Sequence, residues 1–333
     1  MLVVLALASA AAVSGCGGGA RRARTSASAP ASTSAQRAHA AGHRRPRSVA
    51  LTYRRLFALG APLRDPASAG LPGGRFALLG GLDAADTSTA GIELADLRGV
   101  TRTASLPIAQ HDAQAARLGA NVYVFGGGSY SELDHILRFD PSSGAVDTVG
   151  SLPGAQSDVA VAALAGTAYV VGGFDGTSWR NTILAWRPGS AAKLVGRLPV
   201  GLRYAAVAAA SGRLIIIGGS TPAAASDAID SFDPATGRVR RIGTLPQPVT
   251  HAGAATLGST VYLVGGRGDA LDAQTARVWA IDPLTGRVRA AGRLPQPLSD
   301  AGVLRVGRGI VVAGGLASSG ATVAGVGELL PRR

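Results

Sequence analysis

An apolar run ending in a glycine pair occurs six times in this chain of 333 residues. The pairs are Gly80-Gly81, Gly126-Gly127, Gly172-Gly173, Gly218-Gly219, Gly265-Gly266 and Gly314-Gly315, with the first glycines 46, 46, 46, 47 and 49 residues apart. A phosphate-binding loop needs a longer glycine pattern, or a lysine in register, opening onto a helix. The residues after Gly172-Gly173 read FDGTSWRN, with neither the lysine nor a helical apolar period. Strict recurrence instead makes the pairs part of the architecture, and a period of 40–50 residues marks a propeller blade.

Other features keep the same step. Leu-Pro places Pro107, Pro153, Pro199, Pro246 and Pro295 each 19 residues before a first glycine, and Pro62 stands 18 before Gly80. Gly119, Gly166, Gly212, Gly258 and Gly307 fall where a hairpin turn joins two short strands. Asp140, Asp233 and Asp282 each open a D-P-x-x-G turn. One period has room for four strands, read in the third copy as 158–164, 167–171, 182–186 and 191–196. The first two are apolar on both faces, as strands covered on both sides are. The expected fold is all-β, a six-bladed β-propeller of four-stranded antiparallel blades. The sixth copy runs out after three strands, while residues 51–63 form a strand with no partners before it. The N-terminal strand is therefore expected to complete the last blade, which removes a free edge.

The glycine pairs, the tyrosine three residues before them (Tyr123, Tyr169, Tyr262) and the period resemble the Kelch repeat. The resemblance covers about residues 50–328. It departs from the Kelch pattern at the outer strand, where Val146, Val239 and Val288 stand in the region of the usual tryptophan. It implies ligand binding through the loops at one end of the central channel. Copper oxidases of this type use a cysteine cross-linked to a tyrosine, and the ring has no cysteine. Bacterial sialic-acid epimerases share such a ring, so a sugar epimerase-like enzyme is the alternative to a binding module.

The N-terminus reads differently. Residues 2–13 form an apolar stretch too short to span a bilayer, as in a signal peptide. It ends in Val13-Ser14-Gly15-Cys16, which resembles the lipobox of bacterial lipoproteins, although no Lys or Arg precedes the apolar run. Cys16 is the only cysteine, and lipidation would account for a lone thiol in an exported protein. The expected organisation is a signal peptide (1–15), a lipid-anchored basic linker (16–48), the propeller (49–328) and a short tail (329–333). The formal charge of +13 is uneven: residues 1–64 hold ten arginines and no acid, leaving +3 for the rest. Such a linker would be drawn to an anionic membrane surface. It lacks aromatics for base stacking, so nucleic acid is not the expected partner.

Four and five residues after each Leu-Pro proline stands a polar pair: His111-Asp112, Ser157-Asp158, Arg203-Tyr204, Thr250-His251 and Ser299-Asp300. Arg64-Asp65 is the nearest match in the first copy, out of register. The candidate ligand-binding residues at the mouth are His111, Asp112, Asp158, Arg203, Tyr204, His251 and Asp300. Trp179, Arg180 and Arg267 join them from the loops after the glycine pairs. The competing reading is that the pairs cap strand ends. No hydrolase, metalloprotease or nucleotide-binding motif is present, and no catalytic residue, metal or cofactor is expected. The expected role is a monomeric cell-envelope binding module for a protein or glycan. A purely structural envelope component is the third class.

Overall fold

The computed structural model describes residues 50–332. They form six four-stranded antiparallel sheets around a central channel. The innermost strands of blades one to six are Ala67–Leu71, Gln114–Leu118, Ala160–Leu164, Ala206–Ala210, Gly253–Leu257 and Gly302–Val306. Alanine, glycine and valine prevail there because six strands crowd one axis. Blade three shows the full unit: Ala160–Leu164, Thr167–Val171, Thr182–Trp186 and Lys193–Arg197. The second strand of every blade is almost wholly buried, because a neighbouring blade covers each face. The cores lie between blades; that between blades two and three packs Phe125 and Tyr123 against Trp186.

The ring closes as the strand count requires. Leu51–Ala58 pairs antiparallel with Gly325–Pro331, from Leu51 opposite Pro331 to Ala58 opposite Gly325. The sixth blade thus has its first three strands from one end of the ring's sequence and its outer strand from the other. The partner strand runs further than the sequence indicated. Leu329 is fully buried, so residues 329–331 belong to the ring and not to a tail. Among the described residues, six four-stranded sheets close the ring. Cys16, the signal peptide and the basic linker lie outside the described residues.

The glycine pairs are joints between blades. Gly218 and Gly219 serve as the example. Gly219 donates its N–H to the carbonyl of Val249, in the loop entering the next blade, at 2.8 Å. A Cβ on Gly218 would stand 2.2 Å from that same oxygen. One glycine admits the neighbouring carbonyl and the next binds it. Corresponding bonds join Gly81 to Gln110, Gly127 to Gln156, Gly173 to Leu202, Gly266 to Leu298 and Gly315 to Leu63. The leucine of each Leu-Pro is buried and pins the entering loop.

This chain direction gives the ring two faces. One, the mouth face, carries the loops after the glycine pairs and the loops entering the inner strands. The other, the hairpin face, carries the short turns between first and second strands and the D-P-x-x-G turns. Leu51 begins its strand on the hairpin face.

Candidate functional site

All six polar pairs converge at the mouth, in one repeated geometry. The first residue of each pair bridges to the residue after the glycine pair: Arg64 to Leu82, His111 to Gly128, Ser157 to Phe174, Arg203 to Ser220 and Thr250 to Arg267. Ser299 pairs with Leu316 in the same way. The second residue of each pair is left-handed, with φ of 51° at Asp65, 54° at Asp112, 56° at Asp158, 50° at Tyr204, 55° at His251 and 59° at Asp300. Left-handed backbone is uncommon away from glycine, and Tyr adopts it less readily than Asp or His. A girdle of backbone bonds holds it. Asp158 N–H donates to the Asp112 carbonyl, Tyr204 to Asp158, His251 to Tyr204, Asp300 to His251 and Asp65 to Asp300, at 2.8–3.2 Å. The backbone role is the same in all six blades, while the side chains differ, and these are what the mouth presents.

The six second residues line the mouth end of a channel cavity of about 650 Å³, whose walls are the alanine-rich inner strands. Two buried carboxyl pairs form, Asp65 with Asp300 and Asp112 with Asp158. Burial raises the pKa of Asp65 well above the carboxylate range, helped by Asp300 and Asp112. Burial does the same to Asp112, helped by Asp158. Asp300 is raised by burial, against the pull of Ser299 and Arg267. The Tyr204 hydroxyl, 3.4 Å from Asp112 Oδ2, is also pushed up by burial.

His251 stacks on Tyr204, with ring centroids 3.7 Å apart. Arg267 Nη2 lies 3.2 Å from His251 Nε2. A guanidinium can only donate, so Nε2 is the acceptor. The ring proton is then on Nδ1, donated to Thr250 Oγ1 at 3.0 Å. Burial lowers the His251 pKa well below its usual value, and Arg267, Arg203 and Arg64 lower it further. His251 is thus a neutral imidazole.

Above this ring lies a rim. Arg203 forms an ion pair with Asp158. Its guanidinium carbon sits 4.3 Å from the Phe174 ring centre, 5.0 Å from Trp179 and 5.1 Å from Tyr204. Three aromatic faces around one cation make a desolvated binding corner. His111 takes a bond to Ser88 Oγ at 2.8 Å and stands 3.6 Å from Asp112. Its pKa is lowered, chiefly by burial. Arg64 pairs with the exposed Asp86 at 2.9 Å. The Nε atoms of Arg64, Arg203 and Arg267 are buried without a hydrogen-bond partner, as is Asp300 Oδ1.

Every sequence-selected mouth residue is in this assembly except Arg180, which is held outside it by Asp175 at 2.9 Å. Trp179 flanks Arg203. Asp65, set aside as out of register, occupies the ring position of its blade. Phe174 was missed altogether. It directly follows Gly172-Gly173, the place that supplies Arg267 in the fifth blade, and that equivalence was the signal available. Among the described residues, no group of three or more His, Cys, Asp or Glu side chains is placed to hold a metal ion.

The buried carboxyls make stability pH-dependent. A carboxyl whose folded pKa is raised contributes fully below the ordinary value near 4, and the contribution is lost as pH rises through the folded pKa. His251 has the opposite sign: its contribution is full above about 6.5 and is lost as pH falls. Replacing Asp65 and Asp112 by Asn keeps the neutral hydrogen-bonding shape. We expect the double variant to melt about 3 °C or more above the parent at pH 8, a shift of about 1 kcal/mol in a large domain, with no gain at pH 4. A gain independent of pH in melts across that range would show that these carboxyls are ionised in the ring.

No family model and no curated protein matches the chain. Among solved structures it is similar to one titled "Structure of YjhT", at 16% identity and a TM-score of 0.70, covering 81% of this chain and 96% of that one. At that identity the likeness is one of fold, and the fold is a six-bladed β-propeller.

Proposed function

We propose that this chain is a cell-envelope lipoprotein whose propeller binds a glycan, or a polar protein segment, at the channel mouth. The observation that carries the reading is the Arg203 corner: a guanidinium framed by Phe174, Trp179 and Tyr204, fixed by Asp158, beside His111 and the Tyr204–His251 stack. Dense donors and acceptors next to aromatic faces suit sugar hydroxyls and ring C–H groups. The sequence before residue 50 supplies the envelope part, with Cys16 as the lipidated residue.

The test is a thermal-shift screen of the ring against neutral sugars, sialic acids and short peptides. It is repeated on the triple variant His111→Ala/Arg203→Ala/His251→Ala. A ligand that raises the melting point of the parent by several degrees and leaves the variant unmoved supports the reading. Equal shifts in both proteins would place the ligand elsewhere.

An epimerase-like enzyme at the same mouth is the second reading. It is favoured by Asp112, with its raised pKa, lying within 3.4 Å of the Tyr204 hydroxyl. Deuterium uptake by a sugar from heavy water, lost in Tyr204→Phe, would favour it over binding alone.

A further inference from the structure

The two faces of the ring carry opposite charge. Taking each connection with the two strand residues on either side, the mouth face holds seven Lys and Arg against twelve Asp and Glu. The hairpin face holds thirteen Lys and Arg against five Asp and Glu. A charge total over the whole ring conceals this, because the two kinds of connection alternate along the chain.

Most of the basic residues of the hairpin face are also outside any ion pair among the described residues. Its two half-buried arginines are neutralised, Arg138 by Asp147 and Arg213 by Asp233. The other eleven are exposed, and among the described residues none is in an ion pair. Arg98, Arg187 and Arg287 sit in the outer turns, between third and fourth strands, and Arg308 in an inner hairpin, while Arg117 and Arg305 flank the exit of the channel. Among them stand exposed aliphatics: Leu194 at 49%, Leu284 at 47% and Val100 at 37%. No large aromatic side chain is exposed there; the exposed Tyr130 belongs to the mouth face. The connections on this face are short, two or three residues between first and second strands and four to six between third and fourth.

We propose that the hairpin face is a docking surface for an anionic lipid bilayer. Exposed cations near such a surface act additively, and aliphatic side chains among them enter the headgroup layer. Short turns leave these cations free to meet a broad surface, and aliphatics in place of aromatics fit lipid better than bases. The docking holds the mouth away from the surface. It does not depend on lipidation of Cys16, because the residues concerned all belong to the ring.

The test uses the closed ring, residues 50–333, so the outcome is separate from that of the anchor. Co-sedimentation is measured with vesicles of phosphatidylcholine containing about one third phosphatidylglycerol, and with pure phosphatidylcholine. We expect binding to the anionic vesicles only, weakening with added salt. Arg98→Gln/Arg287→Gln/Arg308→Gln should reduce partitioning by about a hundredfold, since each exposed cation contributes about 1 kcal/mol at such a surface. Arg197→Gln/Arg277→Gln/Arg293→Gln, the same charge change on the mouth face, should leave it within about twofold. Unchanged melting points establish that both variants fold. Three results would each overturn the proposal: no binding by the parent ring, equal loss in both triple variants, or tighter binding to a DNA duplex than to vesicles at the same salt.

Discussion

Deleting residues 50–60 is expected to lower the melting temperature by about 10 °C or more, while deleting 17–48 leaves it within about 1 °C. The first deletion removes the outer strand of the sixth blade and with it Leu51 and Leu59, both buried. Leu51 packs with Tyr262, Val278, Ile310 and Leu329, so its loss opens the core between blades five and six. Two buried leucines contribute about 1.5–3 kcal/mol each. Glu328, 2% exposed, would lose its partner Arg54, whose Nη2 lies 2.7 Å from Oε2. An uncompensated buried charge costs about 3–5 kcal/mol. The exposed edge of Gly325–Pro331 would also invite pairing with another chain. Loss of 17–48 leaves every described ladder in place. Melting curves of the two deletions decide the matter; equal midpoints would refute closure by the N-terminal strand.

How far the chain could be read beforehand follows from what repeats. The period, the glycine pairs and Leu-Pro recur at fixed distances, so blade number and the shortage of one outer strand were open to inspection. The polar pairs were found because they too keep step. Asp65 slipped because the first entering loop is shorter: Asp65 stands three positions after Pro62, whereas Asp112 stands five after Pro107. The structure absorbs the difference and gives Asp65 the same left-handed turn. What does not repeat was not legible. Phe174 and Trp179 meet Arg203 from one loop only. Arg267 reaches His251 from another, and no spacing announces either contact. Strand pairing, not periodicity, carried the last blade to Pro331. The recurrence marked the glycine pairs as architectural but not the reason, which is a carbonyl from the next blade.

That carbonyl predicts a sharp difference between two Gly→Ala variants of the fourth blade. Gly212 lies in a hairpin turn at φ 72°, with nothing within 4 Å of where a Cβ would stand. Gly218 has a similar φ of 60°, but its Cβ would lie 2.2 Å from the Val249 oxygen and 3.0 Å from Val249 Cγ1. Both variants pay the left-handed penalty for an L-residue, about 1–2 kcal/mol. Only Gly218→Ala adds a collision with backbone, and forcing extra volume into a packed site costs about 1–3 kcal/mol more. Relief would require the fourth and fifth blades to separate, which stretches the bond from Gly219 to the same oxygen. Gly212→Ala should therefore melt about 2–4 °C below the parent, and Gly218→Ala at least twice as far below. The entering loop of the fifth blade carries Thr250 and His251, so Gly218→Ala should also weaken any ligand held at the mouth, whereas Gly212→Ala should not. Equal destabilisation in denaturant melts would mean that conformation alone selects glycine at these joints. A larger loss at Gly218 ties the motif to the contact between blades, and the mouth to the motif.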